Sequence, residues 1–130
     1  MMGAELTALG LAAFLQALQI GLAGWSMNRD VGVAWNAGPR DTAPEMSALT
    51  GRLRRAVDNH FQGLVLFAIA VLLVTLGGQG NALTAGCAWV YLLARVLYVP
   101  AYAFGWSPWR SLIWAAGFAA TMLMILAALI

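Results

Sequence analysis

The chain has 130 residues, of which 62% are hydrophobic and only 9% charged, against roughly 25% charged residues in an ordinary soluble domain. With a mean hydropathy of +0.80, that composition excludes a soluble enzyme and defines an integral membrane protein. The net charge is +2 with no lysine, and the arginines lie in loops and near helix ends, a distribution that reads as membrane topology and not as nucleic-acid binding.

Four apolar stretches, Leu6–Met27, Val57–Leu76, Leu83–Ala103 and Leu112–Ile130, each approach the roughly 20 residues a helix needs to cross the hydrocarbon core. They predict an all-α bundle of four transmembrane helices in a single membrane domain, with spans at about 5–27, 46–77, 82–104 and 108–130. Glu5 precedes the first apolar run, no Arg or Lys does, and the run exceeds the roughly 7–15 residues of a secretory-signal core, so it reads as a retained helix. Gln16 and Gln19, together with Gly10, Gly21 and Gly24, mark a face that packs closely on other helices. From Asn28 to Asp41, Gly32, Gly38-Pro39 and several polar residues favour turns over regular structure. That loop is long enough to fold over a site.

Thr42-Ala-Pro-Glu45 has the form of a capping box with proline in the first turn, and it predicts a helix start there. Running unbroken to Leu76, that helix is about 50 Å long and its first turns project into the interface; Gly51 is its weak point. Gly77, Gly78 and Gly80 end it and Asn81 caps the third span, which makes the two spans antiparallel neighbours. Pro100 predicts a kink in span three. Ser107-Pro108 supplies a cap and a first helical residue for span four. Cys87 has no partner for a disulfide or a metal site and reads as a packing residue. Arg29, Arg40, Arg52, Arg54 and Arg55 surround the first loop while Gly77–Asn81 carries no charge. The positive-inside rule then places loops one and three in the cytoplasm and both termini outside.

Arg52, Arg55, Asn59 and Gln62 follow one another at three, four and three residues, so they share one helix face. Tyr91, Arg95, Tyr98 and Tyr102 do the same on span three, and an antiparallel pair brings the two stripes to the same end. Guanidinium forks, carboxamides and phenols suit a small anionic, amide-bearing ligand. On these residues alone a second reading stays open: Arg95 snorkels to the interface, Tyr98 and Tyr102 form an aromatic belt, and Asn59 and Gln62 only join helices. Arg110 falls in the first turn of span four, where the helix dipole disfavours a cation. An anion there resolves the conflict, and a thiol beside Arg110 and the free amides of that turn has its pKa lowered; the competing reading is a topology-setting loop arginine. His60 has no cysteine partner, and Asp58 points away from the stripe and is expected to pair with Arg54, so no metal site or hydrolase triad is expected.

Arg-Ala-x-x-Asn-x-x-Gln at positions 55–62, Ala-Arg-x-x-Tyr-x-x-x-Tyr at 94–102 and Arg110 at the start of span four resemble the MAPEG family, the membrane-associated proteins of eicosanoid and glutathione metabolism. The resemblance covers nearly the whole chain, and Gly38-Pro39-Arg40-Asp41 is similar to the first loop of bacterial members. It implies a homotrimer in the inner membrane that binds glutathione as co-substrate between subunits near the cytoplasmic face. Arg29, Arg55, Asn59, Gln62, Arg95, Tyr98 and Tyr102 are then the binding candidates and Arg110 the thiolate-stabilising one, with no metal and with lipophilic electrophiles entering from the bilayer. Gln62 stands where active relatives usually carry Glu, and the Tyr102–Arg110 spacing is one residue longer than in leukotriene-forming members. A glutathione transferase- or peroxidase-like enzyme is therefore weighed against a non-catalytic binding or scaffold module of the same fold. A four-helix multidrug transporter is disfavoured, because Glu5 is the one acid near a span and proton coupling needs an embedded carboxylate.

Overall fold

The computed structural model describes residues 2–42 and 44–130. Five helices follow in order: α1 (Ala4–Val31), α2 (Val33–Ala37), α3 (Ala48–Leu76), α4 (Ala82–Ala103) and α5 (Trp109–Leu129). All but α2 are long and apolar enough to cross a membrane, so the protein is an all-α integral membrane bundle of four spanning helices. The central pair is α3 and α4, which pack on each other and on both α1 and α5; α1 and α5 do not touch among the described residues.

Between helices in lipid there is little hydrophobic drive, and close approach has to come from small side chains. The main core is built that way: Ala8 and Ala12 of α1, Ala70 of α3, Cys87 and Ala88 of α4 and Ala120 of α5 surround Phe67, Tyr91 and Met124. Phe67 and Tyr91 stack with ring centroids 3.9 Å apart. At Gly117 an added Cβ would lie 3.3 Å from Ala94 Cβ and 3.7 Å from Tyr91 Cδ2, so glycine sets the α4–α5 separation. Large apolar side chains such as Phe14, Leu18, Leu93 and Leu129 point outward, as the surrounding hydrocarbon requires.

Helix ends follow local chemistry, in places against expectation. Asn81 caps α4 as expected, with a reciprocal pair in which Asn81 Oδ1 accepts from Thr84 N at 3.0 Å and Thr84 Oγ1 accepts from Asn81 N at 2.9 Å. The start of α3 is a correction: it begins at Ala48, capped by Ser47 Oγ accepting from Thr50 N at 3.2 Å, and residues 44–47 are not helical; Ala43 of the expected box lies outside the described residues. Ser47 prevails because Asp30 Oδ2 accepts from both its amide (2.9 Å) and its hydroxyl (2.7 Å), and also from the Thr50 hydroxyl, which pins the turn to the end of α1. The α3 helix runs straight through Gly51.

The first loop is more ordered than its composition implies. Asn28–Val31 belong to α1, and Gly32, at φ +90°, breaks the helix before α2. Asn36 Nδ2 donates to Asn28 Oδ1 at 2.7 Å and Trp35 Nε1 to the Thr42 carbonyl at 3.1 Å, closing the segment on itself. Pro100 lies within the last turn of α4, which continues to Ala103. Ser107 makes no capping bond; Pro108 itself is the N-cap of α5.

Inside the bundle the polar groups of α1 join α3. Gln16 Oε1 meets His60 Nδ1 at 2.7 Å, Gln16 Nε2 donates to the Val57 carbonyl at 3.4 Å, and the Ser26 and Thr50 hydroxyls lie 2.5 Å apart. Far from these, at the opposite end of the bundle, Thr84 Oγ1 donates to Glu5 Oε1 at 2.7 Å.

Candidate ligand-binding cleft

The chain is folded so that the start of α3, the end of α4 and the start of α5 come together. Arg55 Nε on α3 donates to the Tyr102 hydroxyl on α4 at 3.1 Å, and Arg52 Nη1 to the Ala103 carbonyl at 3.4 Å. A cleft runs from this end down between α3, α4 and α5. Its outer compartment, about 230 Å³, is lined by Asn59, Tyr98, Tyr102, Arg110, Ser111 and Trp114. Its deep compartment, also about 230 Å³, carries Asn59, Gln62, Tyr91, Arg95 and Thr121 on one side of an apolar wall of Leu66, Trp114 and Phe118. Asn59 and Trp114 belong to both compartments.

Two arginines bracket a pair of phenols along this cleft. The Arg110 guanidinium carbon sits 4.8 Å from the centroid of the Tyr102 ring, and Arg95 Cζ sits 4.3 Å from that of Tyr98. Tyr98 and Tyr102 meet edge to face at 5.5 Å. Arg95 is 2% exposed and Tyr98 3%, so neither the snorkelling arginine nor the aromatic belt describes them. Arg95 Nη2 donates to Asn59 Oδ1 at 2.9 Å. No carboxylate lies within ion-pair distance of it among the described residues, where the one such pair is Arg29–Asp30 at 3.5 Å. A buried guanidinium without a counter-ion is costly in a membrane, roughly 2.5–3.5 kcal/mol on the insertion scale.

Seven of the residues singled out in the sequence thus come together: Arg55, Asn59, Gln62, Arg95, Tyr98, Tyr102 and Arg110. Arg29 does not join them. It lies at the end of α1, over the Trp25 ring at 5.1 Å, with Asp30 beside it. Asp58 and Arg54 do not pair either; Arg54 Nη1 reaches Met46 Sδ at 3.5 Å instead, because the segment before α3 folds over it. The amides expected to be free at the start of α5 are engaged: those of Arg110, Ser111 and Leu112 donate to the carbonyls of Trp106, Pro108 and Pro108. The Arg110 and Ser111 side chains both line the outer compartment there. Among the described residues no three of His, Cys, Asp and Glu come together as a metal site.

Residues the sequence reading passed over form the apolar wall. In helices apolar on every side, Leu66, Trp114 and Phe118 carry no mark of the face they occupy. Gly63, one position past Gln62, also lies in this lining, where an added Cβ would stand 3.4 Å from Tyr91 Oη and 3.9 Å from Arg95 Cζ.

The fold is thus a four-helix membrane bundle with an arginine- and tyrosine-lined cleft at one end. The family model for the MAPEG family matches residues 4–130, and the chain belongs to that family. No curated protein and no solved structure matches it.

Proposed function

We propose that this MAPEG-family protein binds glutathione in the α3–α4–α5 cleft and joins it through its sulfur to lipophilic electrophiles dissolved in the bilayer. The observation that carries the reading is Arg95, buried to 2% exposure with an amide oxygen as its hydrogen-bond partner and no carboxylate in reach. A guanidinium offers five N–H donors and no acceptor, and a bound carboxylate or thiolate supplies the missing charge. Membership of the family supports the choice of glutathione among such anions.

In this reading Arg55, Asn59, Gln62, Arg95, Tyr98 and Tyr102 hold the tripeptide, and Arg110 faces its sulfur. The guanidinium of Arg110 favours the thiolate over the thiol, so the S–H proton passes to water and the thiolate is populated near neutral pH. The thiolate then forms a carbon–sulfur bond with the electrophile. Either a leaving group departs with the bonding pair, or an activated double bond takes up the pair and then a proton from water. The protein forms no covalent intermediate and uses no metal. Arg29, remote from the cleft of its own subunit, is assigned to a neighbouring copy's ligand in a homotrimer. All seven arginines lie toward the loop-one end, which supports a cytoplasmic position for loops one and three and outward termini in a bacterial inner membrane.

Gln62 favours a second reading. As a neutral amide it holds the ligand's ammonium group less firmly than a carboxylate does, and binding without turnover then makes the protein a membrane binding or scaffold module. Calorimetric titration of the purified protein with glutathione tests the shared step. The ultraviolet absorbance of bound thiolate in wild type and Arg110→Ala, with conjugation of an aryl halide, separates the two readings. Absence of glutathione binding refutes both.

A further inference from the structure

Two polar atoms of residues lining the deep compartment have no partner within the protein. Tyr91 Oη and Arg95 Nε are buried without a hydrogen-bond partner, in residues each 2% exposed, and both residues line the compartment. Their positions are fixed from behind. Tyr91 stacks on Phe67, while Arg95 is tied through Nη2 to Asn59 and lies over the Tyr98 ring. Gly63 lines the same compartment, and a side chain there would begin in van der Waals contact with both residues, 3.4 Å from Tyr91 Oη and 3.9 Å from Arg95 Cζ, and extend from there. Two of the neighbouring polar groups are already engaged, since the Thr121 hydroxyl donates to the Gly117 carbonyl at 2.9 Å and Asn59 Oδ1 accepts from Arg95; the exposed Gln62 carboxamide lines the same compartment.

Arg95 Nε is only a donor, and a phenol with no acceptor beside it acts as one too. Two donors from residues lining one compartment, with no protein acceptor for either, match an oxygen that carries lone pairs and no proton. In a low-dielectric setting an unmade hydrogen bond is costly, so such an oxygen is favoured over a plain hydrocarbon. The remaining wall, Leu66, Trp114 and Phe118, suits an apolar or aromatic frame.

We propose that the deep compartment binds lipophilic carbonyl compounds, with the carbonyl oxygen accepting from Tyr91 Oη and Arg95 Nε and the apolar frame lying along Leu66, Trp114 and Phe118. That such a compound is the electrophile rests on the glutathione reading; that the compartment selects it does not. Within that reading the second substrates are conjugated ketones, aldehydes and quinones, rather than simple alkyl halides, which lack the oxygen.

The test uses the full chain in lipid nanodiscs and 6-propionyl-2-(dimethylamino)naphthalene, an aryl ketone whose emission moves to the red when its carbonyl accepts a hydrogen bond. The 6-propyl analogue, which lacks the oxygen, is the control. The expected result is a saturable, red-shifted component excited through tryptophan, with the analogue at least about tenfold weaker, the factor that one hydrogen bond is worth. Tyr91→Phe weakens the ketone by about the same factor and reduces the red shift, and Gly63→Leu abolishes the component. Tyr91→Phe removes a hydroxyl that makes no bond within the protein, so it carries the test even where Gly63→Leu fails to fold. Equal binding of ketone and analogue, or ketone binding unchanged in Tyr91→Phe, overturns the proposal. Glutathione titration of the same samples keeps the two readings apart: ketone selectivity without glutathione binding refutes the proposed function and supports the inference, and glutathione binding without ketone selectivity does the reverse.

Discussion

Replacing Arg95 by methionine separates a ligand-holding arginine from one that only joins helices. The substitution removes a charge-assisted hydrogen bond to Asn59 at 2.9 Å, worth about 1.5–3 kcal/mol, and a contact with the Tyr98 ring at 4.3 Å, worth about 0.5–2 kcal/mol. It also removes a cation that is costly at membrane depth by about 2.5–3.5 kcal/mol. These terms nearly cancel, so the ligand-free protein is expected to keep its stability to within about 1–2 kcal/mol. Glutathione binding has no such compensation. Losing one charge-assisted contact of about 1.5–3 kcal/mol raises the dissociation constant by roughly 10- to 150-fold. Thermal unfolding in detergent and calorimetric titration on the same preparation measure both quantities. A variant that unfolds much more easily yet binds glutathione with unchanged affinity refutes the reasoning, because Arg95 is then an interhelical tie.

Other outcomes follow from the packing. Asp30→Ala removes the acceptor for Ser47 N, Ser47 Oγ and Thr50 Oγ1; the melting temperature should fall and proteolysis between residues 38 and 47 should quicken, with Asp30→Asn intermediate. A double-mutant cycle of Gln16→Leu and His60→Leu should give a coupling of about 0.6–1.7 kcal/mol, the range of interhelical hydrogen bonds in membranes, from the 2.7 Å contact; unfolding free energies of the four proteins measure it. Gly117→Leu pushes α5 off Ala94 and Tyr91 and should cost about 1–3 kcal/mol by overpacking, whereas Gly21→Leu, with open space around it, should leave the melting temperature nearly unchanged.

Sequence features with local causes were legible. Asn81 and Thr84 close a capping pair inside one turn, and the arginine and tyrosine stripes of α3 and α4 obey a helical period that antiparallel packing turns into a shared cleft. Contacts over longer separations decided the rest. Ser47 outcompetes Thr42 as a cap because Asp30, at the end of a different helix, holds it. Arg54 turns from Asp58 to Met46 because the segment between α2 and α3 folds back. The amides of α5 lose their freedom to carbonyls of the preceding turn, a backbone event that side-chain patterns do not record. The apolar wall stayed hidden because hydropathy is nearly uniform around membrane helices, so periodicity cannot mark one face as a cleft.

The tie between Glu5 and Thr84, residues 79 positions apart, bears on how the molecule is made. Thr84 is also half of the α4 capping pair, so the first turn of α1 gains its partner only when the third span has entered the bilayer and begun to coil. Until then a carboxylate waits at the water boundary while most of the polypeptide is still being synthesised and inserted. The first helix is therefore seated in two stages: its mid-span bonds come with α3, and its first turn is fixed only by α4.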